Sequence, residues 1–201
     1  MKRSRKGKSG QWADHLTQQA KSDNYPARSV YKLMEIQKKF RVIQKNKPVL
    51  DLGCSPGSWL LYAAQQAGPQ ARVIGIDLKP VETALPGQAT ALVGDILRLE
   101  ENGLLTDQDR FATVLSDMAP ATTGRKDVDA LKSFELCEMA LKVAQDYLEP
   151  NGHFVCKIFQ GKEFDQFNKT VKQLFKQCKI FKPESCRKSS KEIYIIGKDK
   201  K

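Results

Sequence analysis

The chain has 201 residues, 40% hydrophobic and 28% charged, and its 34 Lys and Arg against 23 Asp and Glu leave a formal charge of +11 at pH 7. That length suits one domain with a substantial core, and that composition excludes disordered, collagenous and disulfide-stapled chains. No apolar run reaches bilayer length and the basic N-terminus lacks the apolar stretch of a secretory signal, while the excess positive charge favours a polyanionic partner such as nucleic acid.

Residues 1–10, rich in Lys, Arg, Ser and Gly, are expected to be a flexible basic arm. Residues 11–201 then form a single domain, with N-terminal helices in 11–47 and an α/β core in 48–201. Helices are predicted over 11–21 and 27–40, separated by a turn at Asn24-Tyr25-Pro26. The second helix turns Val30, Leu33, Met34 and Ile36 toward a sheet. Beyond Pro48, strand patterns at 49–52, 72–77, 89–93, 111–116 and 152–159 alternate with helical patterns at 58–67, 131–148 and 164–177. Such alternation predicts a mostly parallel sheet with helices on both faces. The last strand patterns, 179–182 and 192–196, have no helix between them and call for an antiparallel hairpin at the end of the sheet.

Five cysteines (Cys54, Cys137, Cys156, Cys178, Cys186) include no C-x-x-C pair. Three of them sit inside apolar patterns, which points to a reducing, cytoplasmic setting. With two histidines and no thiol cluster, no metal site is expected.

The stretch Val49-Leu50-Asp51-Leu52-Gly53-Cys54-Ser55-Pro56-Gly57-Ser58-Trp59 runs a short strand into a glycine turn and then a helix. Ligands of open α/β sheets bind at such carboxyl ends. The turn carries neither G-x-G-x-x-G nor G-x-x-x-x-G-K-[ST], so a nucleotide pyrophosphate matches poorly. A strand-end carboxylate, Asp51, beside Gly53, Pro56 and Gly57 suits a ligand with an ammonium group, hydroxyls and a purine, and S-adenosyl-L-methionine fits. Further acids close the next strands: Asp77, placed for a ribose diol; Asp95, for an exocyclic amine; and Asp117. Each could equally cap the element that follows it. Trp59 is either a pocket wall or core filler.

The pieces Arg28-Ser29-x-Tyr31-Lys32-Leu33, Asp51-Leu52-Gly53-x-x-Pro56-Gly57-x-Trp59, Ser116-Asp117-Met118-Ala119-Pro120, Lys157-Ile158-Phe159-Gln160-Gly161 and Lys191-Glu192-x-Tyr194 span nearly the whole chain. In that order they resemble the FtsJ/RrmJ family of RNA ribose 2′-O-methyltransferases. The resemblance implies a class I, Rossmann-like methyltransferase fold with a seven-stranded sheet, and S-adenosyl-L-methionine as cofactor. It also implies a catalytic Lys-Asp-Lys-Glu set, falling here on Lys32, Asp117, Lys157 and Glu192. In bacterial members it implies methylation of a uridine ribose in the large-subunit (23S) ribosomal RNA. The expected partner is ribosomal RNA within the large subunit, with no membrane attachment, and the expected form is a monomer. A tRNA or mRNA-cap ribose, or a non-catalytic role in ribosome assembly, are the competing readings. The chain departs from the pattern at Cys54-Ser55, where Ala-Ala is commoner, at Ser58, where glycine is usual, and at Lys191, where arginine is frequent.

Methyl transfer to a 2′-hydroxyl needs oxygen, carbon and sulfur held in line and one proton accommodated. Lys157, a lysine among apolar neighbours of a strand, is the candidate base; the alternative is an ammonium that orients the hydroxyl. Taken singly, Lys157 reads as a snorkelling edge residue, Lys32 as a solvated helix lysine and Glu192 as an edge charge. Cationic contacts to RNA are expected from Lys2, Arg3, Arg5, Lys6 and Lys8, from Lys21, Arg28, Lys38, Lys39 and Arg41, and from Lys182, Arg187, Lys188 and Lys191. The tail lysines Lys198, Lys200 and Lys201 are weaker candidates. Tyr25 and Phe40 could stack on bases, with turn and core packing as the plainer roles.

Overall fold

A computed structural model describes residues 8–187 and 189–201. Strands β1 (Val49–Leu52), β2 (Val73–Asp77), β3 (Ala89–Val93), β4 (Phe111–Ser116), β5 (Leu148–Phe159), β6 (Phe175–Phe181) and β7 (Glu192–Lys200) form one sheet in the order β3-β2-β1-β4-β5-β7-β6. The first five are parallel to one another, and β7 runs antiparallel between β5 and β6. The expected antiparallel hairpin closes the sheet, its second strand inserted between β5 and the edge strand β6. That insertion carries Tyr194 directly opposite Lys157 and Glu192 opposite Phe159.

Helices α1 (Lys8–Ser22), α2 (Val30–Phe40) and α3 (Ser58–Ala67) cover one face, and α4 (Lys126–Tyr147) and α5 (Phe164–Leu174) cover the other. Of the expected arm, residues 1–7 lie outside the described residues and 8–10 open α1. Helix α2 buries Val30, Leu33 and Ile36 at helical spacing and ends where Arg41 adopts a left-handed conformation, its N–H bonding Gln37 O. Helix α3 is buried along nearly its whole length, as an apolar helix pressed on a sheet must be. Ser58 replaces glycine productively: its Oγ accepts from Ala27 N at 2.7 Å and ties α3 to the turn before α2.

Several boundaries differ from the sequence reading: α1 starts at Lys8 and α2 at Val30, β5 already starts at Leu148, β7 runs on to Lys200, and two further shifts have a clear local cause. Helix α4 starts at Lys126, because Asp129 reaches back to accept from Thr123 N, Thr123 Oγ1 and Gly124 N, a cap built from inside the helix. Helix α5 ends at Leu174, and the residues after it form the start of β6, an edge strand whose exposed Lys176, Gln177 and Lys179 mimic a polar helix face.

The tail lysines serve the fold. Lys200 Nζ bonds the carbonyls of Gln145 and Leu148 at the end of α4, and Lys201 Nζ those of Lys172 and Gln173 at the end of α5. Tyr25 is buried with its hydroxyl on Gln65, and Phe40 packs edge-on against Phe181, so both take their packing roles.

Candidate active site

Parallel strands β1 to β5 end at a common rim, and there a cleft of about 490 Å³ opens. Gly53, Ser55, Pro56, Asp77, Asp95 and Asp117 all line it. The turn after β1 has no room for a side chain at either glycine. Gly53 (φ 75°) would drive a Cβ into the Met118 side chain, and Gly57 (φ 111°) would place one 2.8 Å from Val81 Cγ1. Asp77 holds the turn by accepting from Ser55 N at 3.0 Å and Lys79 N at 2.8 Å. Asp95 caps the short 3-10 turn Ile96–Arg98 through Leu97 N and still faces the cleft.

Asp51 is fully buried, and neither carboxylate oxygen has a hydrogen-bond partner among the described residues. Burial, with the charges of Asp117 and Asp77, raises its pKa well above the ordinary value. Asp51 lies behind the cleft and does not line it, and the three carboxylates that do, Asp77, Asp95 and Asp117, make a field that welcomes a cation and repels a pyrophosphate. A sulfonium cofactor that also carries an ammonium group fits this donor set. Trp59 is absent from the cleft lining; it is buried, donates its indole N–H to Ser29 O at 2.9 Å and stacks on Tyr194 at 5.9 Å.

Beside the cleft, four elements meet. Lys157 Nζ, from β5, lies 3.0 Å from Asp117 Oδ1 and also bonds the Asp117 carbonyl. Lys32 Nζ, from α2, lies 2.6 Å from Glu192 Oε1 at the start of β7. The two pairs share a field. Burial would push the Asp117 carboxyl up, but Lys157, Lys32 and the Tyr194 hydroxyl outweigh it and hold the group below its usual range. Burial would likewise lower Lys32, yet Asp117 and Glu192 prevail and its pKa is raised.

Three further side chains hold this cluster in place. The Tyr194 hydroxyl donates to Asp117 Oδ1 at 2.6 Å. The Cys186 thiol donates to Glu192 Oε1 at 2.9 Å, and burial together with that acid pushes its pKa up to about 12. Glu35, one turn beyond Lys32, accepts from Glu184 N and Ser185 N and so anchors the loop that carries Cys186. Tyr194 falls within the Lys191-Glu192-x-Tyr194 pattern; Cys186 and Glu35 become visible only when β7 and α2 are brought together.

A 3-2-1-4-5-7-6 sheet with its seventh strand reversed, and a cation-seeking cleft at the carboxyl ends, defines a class I methyltransferase. The chain belongs to the FtsJ-like methyltransferase family, which it matches over residues 25–200. It is similar to the ribosomal RNA large subunit methyltransferase E of Desulforapulum autotrophicum, 64% identical over 197 residues that cover 98% of this chain and 97% of the relative. It is also similar to the protein of the same description from Desulfatibacillum aliphaticivorans, 53% identical over 201 residues covering 100% and 97%. Among solved structures it is similar to one described as a ribosomal RNA methyltransferase from Plasmodium falciparum, with TM-score 0.75, 27% identity and coverage of 88% and 98%. Fibrillarin of Aeropyrum pernix, solved with S-adenosyl-L-methionine, shares the fold at TM-score 0.64 and 16% identity, over 84% of this chain and 76% of that one.

Proposed function

We propose that this chain transfers a methyl group from S-adenosyl-L-methionine to the 2′-hydroxyl of a uridine ribose in large-subunit ribosomal RNA. The observation that carries the reading is the convergence of Lys157, Asp117, Lys32 and Glu192, linked at 3.0 and 2.6 Å, beside the carboxylate-lined cleft. Family membership and the description of the relatives as ribosomal RNA large subunit methyltransferases support the substrate. Among the described residues no helix is long and apolar enough to cross a membrane. The proposed setting is the cytoplasm, the proposed form a monomer, and the proposed catalytic unit the single domain over 11–201.

When bound, the cofactor supplies a methyl group on a sulfonium centre that leaves as a neutral thioether. Asp51, Asp77 and Asp95 would hold it, through its ammonium, ribose and purine respectively, with Gly53 and Pro56 shaping the wall and Gly57 the turn behind it. Lys157, as the free amine, receives the proton of the 2′-hydroxyl as the oxygen–carbon bond forms, and so becomes the ammonium that Asp117 holds. Asp117 fixes Lys157 Nζ through both its carboxylate and its carbonyl. Lys32, braced by Glu192, lends positive charge where the alkoxide develops. Positioning of this kind contributes about 7–11 kcal/mol in well-oriented reactions, and a general base about 10²–10⁴-fold.

The test is labelled-methyl transfer to purified 23S RNA, assembled large subunits, 16S RNA and tRNA, all from cells lacking this protein. Label in a 2′-O-methyluridine of 23S RNA or the large subunit supports the reading. Label confined to tRNA, or none in any RNA, overturns it.

A further inference from the structure

We infer that a second groove on the same rim receives the RNA strand beside the target ribose, taking one base on its apolar floor and phosphates at its lysine edge. The inference rests on the proposed RNA methylation and names a subsite for it. The groove, about 460 Å³, lies between the N-terminal turn of α4 and the loops that follow β5 and precede β7. Its floor includes Val128, Ala130 and Leu131, and its edge carries Lys126, Lys162 and Lys191.

The place is fixed with respect to the chemistry. Gln160 N bonds Lys191 O at 3.0 Å, so the groove wall is a direct extension of the β5–β7 pair that presents Lys157 and Glu192. Ser133 Oγ of α4 accepts from Phe159 N at 3.0 Å, and Gly161 packs so closely on Ala130 that an added Cβ would lie 2.6 Å from the Ala130 Cβ. The three walls are thus locked together as a preformed slot.

Its chemistry is that of a nucleotide. Leu131, a large apolar side chain on the floor, is 45% exposed, and the three edge lysines are exposed around it. Asp127 and Glu163 also line the groove, and Asp127 lies 3.7 Å from Arg125. A cationic edge over an apolar floor matches a strand with splayed bases and charged phosphates; a rigid duplex would present its phosphates alone. With no aromatic side chain in the lining, the base would be held by apolar contact with Leu131 and Val128 rather than by ring stacking.

The test compares wild type with Lys126→Ala/Lys162→Ala/Lys191→Ala, with Leu131→Ser, and with the control Lys142→Ala/Lys176→Ala, all on the RNA that wild type methylates. The triple variant is expected to raise the RNA KM at least tenfold at physiological salt, with cofactor affinity and thermal stability unchanged. Its log–log salt dependence should be shallower by about two, at roughly 0.7 per phosphate contact for a single strand. Leu131→Ser should raise KM severalfold and leave the salt slope alone. If the groove variants behave like the control, or the control loses as much, the inference is overturned while the methyltransferase reading stands. If wild type labels no RNA, it is that reading that fails.

Discussion

The hydroxyl of Tyr194 and the ammonium of Lys157 meet the same oxygen, Asp117 Oδ1, at 2.6 and 3.0 Å, from directly opposed positions of β7 and β5. Asp117 is thereby clamped by two donors that a one-residue slip of the strand pair would send to opposite faces. Tyr194→Phe keeps the stacking on Trp59 and removes only the donor. A hydrogen bond to a charged group is worth about 1.5–3 kcal/mol. Turnover should therefore fall about 10- to 100-fold, with cofactor affinity nearly unchanged. Because the lost bond helps keep Asp117 ionised, its pKa rises in the variant, and the loss of activity on acidification should begin at higher pH. A pH–rate profile of the two proteins checks the sign.

Lys32 and Glu192 act as a unit. Each is largely buried, so removing one leaves the other charge without its partner. Lys32→Met and Glu192→Gln should each lower turnover by at least tenfold. The double variant should lose less than the product of the two, since the second substitution removes a charge that the first had stranded. A double-mutant cycle on single-turnover rates measures the coupling, and strict multiplication of the two effects would contradict a shared role.

Asp51 should make the empty fold less stable as pH rises. Its folded-state pKa is raised, so its contribution is fully present below the unfolded carboxyl pKa and is lost as pH climbs toward the folded value. Asp51→Asn carries no such penalty. Its melting temperature should match or trail wild type in acid and overtake it near neutrality, the gap growing by up to about 1.4 kcal/mol per pH unit. The same variant should bind S-adenosyl-L-methionine more weakly by calorimetry. A constant difference in melting temperature across pH would refute the assignment of Asp51 as the raised group.

Gly57→Ala tests the turn that supports the cleft wall. The residue sits at φ 111° with Val81 Cγ1 2.8 Å from the position of an added Cβ, so both strain and a displaced neighbour follow. Backbone strain of this kind costs about 1–3 kcal/mol, and for a chain of this size each kcal/mol lowers the melting temperature by about 2–4 °C. Thermal denaturation should show that loss, alongside weaker cofactor binding.

Strands β1, β3 and β4 were legible residue for residue, because short, mostly apolar runs bounded by turn residues are too brief to be helices. Strand β6 was legible only at its end. As an edge strand it exposes Lys176, Gln177 and Lys179, and the period-two signal dissolves into the helical pattern before it. The early start of α4 was hidden because its cap is Asp129, inside the helix, whereas sequence patterns look for a polar residue at the cap position, here Arg125. In the site, Lys32, Asp117, Lys157 and Glu192 were legible through their motifs. Cys186 and Glu35 were not: a thiol in a loop and an acid on a helix acquire meaning only when β7 inserts beside β5 and faces α2. Trp59 shows the limit of motif reading, since its indole lies in the core behind Tyr194 and not along the cleft.

The most direct test of the central claim is a map of ribose 2′-O-methylation in large-subunit RNA from cells whose only copy of this protein is wild type, deleted or Lys157→Ala. One uridine methylated with wild type should lose its mark on deletion. It should also lack the mark with Lys157→Ala, although that variant accumulates and binds S-adenosyl-L-methionine normally. Retention of the full methylation pattern in cells carrying Lys157→Ala would contradict the account.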